Sequence, residues 1–187
     1  YVPYKHIPFS SLSQAAKDIT ITAIGPGKTF NMAGFAMSTL AIPNESLREK
    51  FQSVYEKIHF AQGSVLSHVA FFAAYTNGKE WLEELKVHLQ ENYMLLESLC
   101  KKYEKYIQVT PIEATYLAWL DCRDMHLGDK ELRLFFIEDA KLGLSAGLSF
   151  GREGSGFMRL NFAVSQTKMQ EIIKRLDKAL LLKYRNN

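Results

Sequence analysis

The stretch from Ile19 to Gly34, Ile-Thr-Ile-Thr-Ala-Ile-Gly-Pro-Gly-Lys-Thr-Phe-Asn-Met-Ala-Gly, constrains the chain more than any other. Its β-branched start (Ile19, Thr20, Ile21, Thr22) predicts a strand, and Gly25-Pro26-Gly27 predicts a sharp turn that presents a single lysine, Lys28. A lysine on a turn is by default an exposed surface residue. The apolar residues on both sides argue instead for a turn away from the solvated edge of the molecule.

Two chemistries use a lysine so placed. Gly27-Lys28-Thr29 matches the end of a phosphate-cradling G-x-x-x-x-G-K-[ST] loop, but that motif needs a glycine where this chain has Thr22, and a helix directly afterwards. Phe35 to Pro43 reads instead as a second buried strand. The other chemistry is a Schiff-base lysine, held at a strand end and partly desolvated so that its neutral amine can add to a carbonyl. The stretch meets those demands, which makes Lys28 the expected reactive residue.

With 187 residues, 47% of them hydrophobic and 12% aromatic, the chain can build one fair-sized domain or two small ones. The net charge of +3 comes from 23 basic residues interleaved with 20 acidic ones, which leaves no footprint for nucleic acid or an anionic membrane. No apolar run reaches the roughly 20 residues of a membrane-spanning helix. Tyr1 to His6 is no signal peptide, and a chain that opens on tyrosine reads as a fragment or a processed product. Cys100 and Cys122 form no C-x-x-C and read as reduced structural thiols of a cytoplasmic protein. His59, His68, His88 and His126 have no metal-ligand spacing, so no metal is expected.

Downstream, Asn44 is the expected N-cap of a helix whose stripe of Leu47, Phe51, Val54, Tyr55 and Ile58 should be buried. Ser64 to Tyr75, almost free of charge, predicts a helix buried on most sides and stopped at Thr76-Asn77-Gly78. The longest helical pattern runs from Lys79 to about Tyr106, with Trp81, Leu85, Leu89, Tyr93, Leu96 and Cys100 in its stripe. A domain boundary in its first turns gives two parts, residues 1–80 and 81–187. The second part reads as α+β, with strands at 107–110, 115–121 and 156–164, a helix over Asp129 to Lys141 capped by Asp129, and a final helix from Thr167 to Tyr184.

Strand alternation over Phe157 to Val164 puts Met158, Leu160, Phe162 and Val164 on a core face and Phe157, Arg159, Asn161 and Ala163 on the other. The glycine-rich loop Gly147 to Gly156 precedes this strand and could shape a pocket. Arg159 could hold a carboxylate there by two parallel hydrogen bonds, or simply pair with a protein carboxylate on the sheet face.

Lys28 and Arg159 together complete a pattern. Over Lys5 to Phe9, Gly25 to Gly34, Ile42 to Glu45, Trp81-Leu82, Ala114 to Asp121 and Gly156 to Ala163, the chain resembles the C-terminal half of fold type I PLP-dependent enzymes. These have the aminotransferase-like α/β fold, and within them the resemblance is to the C–S β-lyases of the MalY/PatB, cystathionine β-lyase type. It implies part of a large PLP-binding domain followed by a small α+β C-terminal domain. It further implies that Lys28 carries pyridoxal 5′-phosphate (PLP) covalently, that Thr22 and Gly27 are further cofactor-binding positions, and that Arg159 grips the α-carboxylate of a small-molecule amino-acid substrate. The implied reaction is α,β-elimination from cystathionine or a related cysteine thioether, in a homodimer with shared active sites. A PLP aminotransferase of the same fold, or an inert or regulatory fragment, stands as the alternative.

Many relatives of this type have serine just before the lysine, where this chain has Gly27, and typical aminotransferases have an arginine where it has Ala36. The second departure favours the lyase. The family's phosphate loop, ring-stacking aromatic and pyridine-pairing aspartate all lie upstream of the position matched by Tyr1. The isolated chain is therefore expected to be about half an enzyme, binding PLP feebly and turning over little.

Overall fold

The computed structural model describes residues 1–58 and 64–185; His59 lies outside them. The chain divides into two compact units, Val2–Glu84, and Leu85 onward together with Tyr1. Among the described residues no helix is long and apolar enough to cross a membrane.

In the first unit α1 (Gln14–Asp18) starts at Ser13, whose side chain accepts a hydrogen bond from the Ala16 N–H. Strand β1 (Thr22–Ile24) pairs antiparallel with β2 (Thr39–Ala41), setting Thr22 opposite Ala41. The β-branched run thus joins the sheet at Thr22 rather than Ile19. Helix α1 persists to Asp18, and the Thr20 hydroxyl donates back to the Ala16 carbonyl, a local bond that competes with the ladder. The strand expected over Phe35 to Pro43 shrinks to β2, because Ala33–Phe35 forms a 3-10 turn closed by Ala36 in the left-handed conformation (φ 46°).

Helix α2 (Glu45–Lys57) begins as predicted, with the Asn44 side chain accepting from Leu47 N–H at 3.1 Å. Helix α3 (Val65–Asn77) is capped by Ser64 and stopped at Gly78. The burial expected of both helices is not found. Phe51, Val54 and Ile58 are exposed on α2, as are Val65, Leu66, Val69 and Phe72 on α3. A sheet of two three-residue strands offers no layer broad enough to cover them within this unit.

Helix α4 (Lys79–Lys102) ends short of Tyr106; it buries Leu89, Tyr93, Leu96, Leu99 and Cys100 but leaves Trp81 about half exposed. The second unit is built on a four-stranded antiparallel sheet ordered β3 (Gln108–Val109), β4 (Leu117–Asp121), β6 (Phe157–Asn161), β5 (Ser145–Ala146). Ala118 and Leu120 of β4 and Met158 and Leu160 of β6 join Leu96 of α4 and Leu176 of α6 (Gln166–Lys183) in one core, Met158 and Leu160 as the alternation predicted. Asp129 to Lys141 is not one α-helix. It is α5 (Asp129–Leu134) followed by a π-helical turn over Phe135–Asp139, where Ala140 N–H reaches back to Phe135 O. The cap there is Gly128, because the Asp129 carboxylate accepts from the Ser155 hydroxyl (2.8 Å) and the Gly156 N–H (2.9 Å).

Past β6 the chain is fastened to α4. Asn92, fully buried, donates through Nδ2 to the carbonyls of Phe162 (3.0 Å) and Val164 (2.8 Å), and His88 Nε2 lies 2.8 Å from the same Val164 oxygen. Replacing Asn92 with leucine strips partners from buried carbonyls, so we expect a loss of about 2 kcal/mol, read as a lower urea midpoint at unchanged m-value.

Candidate functional site

The lysine turn is set by its backbone. After β1 the chain turns through a buried Pro26, with Phe30 N–H donating to Pro26 O (2.8 Å) and Met32 N–H to Gly27 O (3.0 Å). Gly27 sits at a close approach, since a Cβ there would lie 3.3 Å from Ala33 Cα, tighter than an ordinary contact. Phe30, two residues beyond the lysine, pegs the turn. Its ring lies edge-on to Tyr75 at 5.6 Å and stacks on Trp81 at 6.0 Å. Gly78 makes room for it, because a Cβ at that position would stand 2.5 Å from Phe30 Cε1. The Ser67 hydroxyl, donating to Phe35 O at 2.9 Å, ties the far side of the loop to α3.

Lys28 is presented at the crest of this turn, and it is exposed, not desolvated as its flanks suggested. Those flanks are themselves open to solvent: Ile19, Ile21, Ile24 and Phe35 are all exposed, so they cover nothing. Among the described residues the Lys28 side chain makes no hydrogen bond or ion pair. Thr22, half-buried on β1, and Gly27 share this unit with Lys28.

Arg159 belongs to the other unit, on the face of β6 turned from the core. The register aligns Ser145, Arg159 and Trp119 in one row across β5, β6 and β4. The half-buried guanidinium donates from Nη2 to Ser145 Oγ (3.2 Å) and lies 4.7 Å from the centre of the Phe150 ring. Among the described residues it forms no ion pair. Trp119 meets Phe150 edge-on at 5.7 Å and stacks on Phe157 at 5.6 Å, and Arg123 sits 4.9 Å from the Phe157 ring. Arg123 in turn forks onto Asp121 (Nε to Oδ1 2.9 Å, Nη2 to Oδ2 2.6 Å), and those bonds hold the Asp121 carboxyl below its ordinary range.

Sequence reading missed Ser145 and Phe150. Strand β5 is two residues long, too short for alternation to show, and Phe150 is one aromatic in a glycine- and serine-rich loop. The cysteines are inert structural thiols: both are buried, and burial, then Glu97, pushes the Cys100 thiol up to about 12. Among the described residues no group of three His, Cys, Asp or Glu could hold a metal.

No protein-family model matches the chain. Its sequence is 34% identical over 177 residues to cystathionine beta-lyase PatB of Bacillus subtilis, covering 95% of this chain and 46% of that protein. It is 30% identical over 176 residues to protein MalY of Escherichia coli, covering 94% and 44%. Its fold matches the crystal structure of cystalysin from Treponema denticola, which contains a PLP cofactor, with a TM-score of 0.89 at 32% identity, over 95% of this chain and 45% of that one. The chain spans a little under half the length of the curated relatives it matches. In sequence and in fold, then, it belongs to the PLP-dependent, aminotransferase-fold family of PatB and MalY, of which it matches a C-terminal part.

Proposed function

We propose that the whole protein carrying this chain is a PLP-dependent C–S β-lyase acting on L-cystathionine or a related cysteine thioether. The observation that carries the reading is Lys28: a primary amine with no ion pair among the described residues, on a turn pegged by Phe30, in a chain 34% identical to a cystathionine β-lyase. The donor set suits PLP. Lys28 Nζ, a primary amine at the crest of the turn, would bond covalently to the cofactor's aldehyde carbon. The Thr22 hydroxyl and the Gly27 main chain are further candidates for holding the cofactor. PLP, when bound, supplies an electron sink for negative charge at the substrate Cα.

The chain's own residues do the rest. Arg159, which forms no ion pair among the described residues, binds the substrate α-carboxylate through its in-plane N–H groups and fixes the orientation of the amino acid. Lys28 Nζ, released by the incoming amino group, takes the Cα proton. The Cβ–S bond breaks, sulfur leaves with the bonding pair and is protonated to the thiol, and water converts the remaining three-carbon fragment to pyruvate and ammonia. The same reading makes the protein a cytoplasmic homodimer, and two buried free thiols suit a reducing compartment.

Incubating the whole protein with PLP and L-cystathionine tests the reaction. We expect thiol and pyruvate in equal amounts with no added keto acid. Amino transfer that depends on 2-oxoglutarate, without pyruvate, would establish an aminotransferase instead.

A further inference from the structure

We propose that Phe150 is a positioning residue for the carboxylate grip of Arg159; this rests on the reading that Arg159 binds the substrate carboxylate. An arginine side chain has four rotatable bonds, and β6 fixes only its root. Two contacts hold the tip. Ser145 Oγ accepts one Nη2 hydrogen bond in the guanidinium plane (3.2 Å), and the Phe150 ring lies against the group at 4.7 Å. A ring attracts the cation electrostatically without taking up a hydrogen-bond donor, so the N–H groups it leaves unused remain for a carboxylate. A carboxylate in the place of Phe150 would hold Arg159 equally well and occupy the donors that substrate needs.

The ring is itself braced. Trp119 meets Phe150 edge-on at 5.7 Å and rests on Phe157 at 5.6 Å; Phe157 carries Arg123 at 4.9 Å, and Arg123 is forked onto Asp121. The result is a continuous stack from Asp121 to Arg159 along the outer face of the sheet. The turn that bears the ring is also fixed, with the Ser149 hydroxyl donating to Ala146 O at 2.6 Å. Yet Phe150 is 55% exposed, so it contributes little to the core of this unit. An exposed aromatic in a fixed turn against a functional cation has its role in that contact.

The experiment uses the PLP-loaded whole protein and calorimetric binding of two probes, L-alanine, which has no β-leaving group, and ethylamine, which is the same molecule without its carboxylate. Phe150→Leu should weaken L-alanine about three- to fivefold and leave ethylamine and the melting temperature unchanged, while Phe150→Tyr should bind as wild type does. Arg159→Ala should weaken L-alanine about a hundredfold, and adding Phe150→Leu to it should have no further effect. Unchanged L-alanine binding in Phe150→Leu, alongside a loss in Arg159→Ala, overturns the role of Phe150. Equal weakening of both probes, or an additive double variant, overturns it as well. Unchanged L-alanine binding in Arg159→Ala overturns the carboxylate reading itself.

Discussion

Lys28→Ala in the whole protein is expected to lower thiol release from L-cystathionine by about 10³-fold or more while leaving the melting temperature of the PLP-free protein where it was. The two halves of that expectation have separate origins. Lys28 is exposed and makes no hydrogen bond or ion pair among the described residues, so truncating it removes nothing the fold depends on, within about 0.5 kcal/mol. Its proposed chemical work is irreplaceable, because a positioned proton-transfer group alone contributes about 10²–10⁴-fold and the covalent tether is lost with it. Lys28→Arg keeps the charge but not a titratable amine and should be equally inactive. Borohydride reduction of the PLP-loaded protein, then peptide mass mapping, should place the trapped cofactor on the peptide containing Lys28. A trap on another lysine, or full activity in Lys28→Ala, would refute the assignment.

Gly154→Ala should be the most destabilising single methyl in the second unit, costing about 3 kcal/mol or more. A Cβ on Gly154 would stand 2.1 Å from the Gly147 carbonyl oxygen, and one on Gly147 would stand 2.3 Å from the Gly154 oxygen and 2.7 Å from that of Phe157. These obstacles are main chain, so no rotamer change relieves them, and moving Gly147 drags β5 and the turn carrying Phe150 with it. Gly143→Ala is the control, with nothing within 4 Å of its added Cβ. Urea unfolding of the two variants beside the parent measures the difference; equal midpoints for Gly154→Ala and Gly143→Ala would refute the close packing.

Much of this was legible in the sequence wherever the signal is local. Asn44 announced α2, Gly78 the end of α3, and the period-two pattern of β6 separated Met158 and Leu160 from Arg159. What failed was what a neighbour decides. The stripe Phe51, Val54 and Ile58 states that a helix has an apolar face, not that anything in the same unit covers it. The same error was made about Lys28, whose apolar flanks proved exposed. Asp129 looked like a cap because nothing adjacent in sequence shows that its carboxylate is taken by Ser155 and Gly156. Phe150 was invisible as a partner of Arg159, since the contact spans two turns and a strand pairing that no short pattern encodes.

Gly27 keeps the two sides of the lysine turn close together. A side chain at this position would bring its Cβ to 3.3 Å from Ala33 Cα, so the facing main chain must give by a few tenths of an ångström to admit one. The bond from Met32 N–H to Gly27 O holds the two sides of the loop at that spacing. The placement of Lys28 is thereby coupled to the size of the residue before it, because a bulkier neighbour moves the turn that carries the amine.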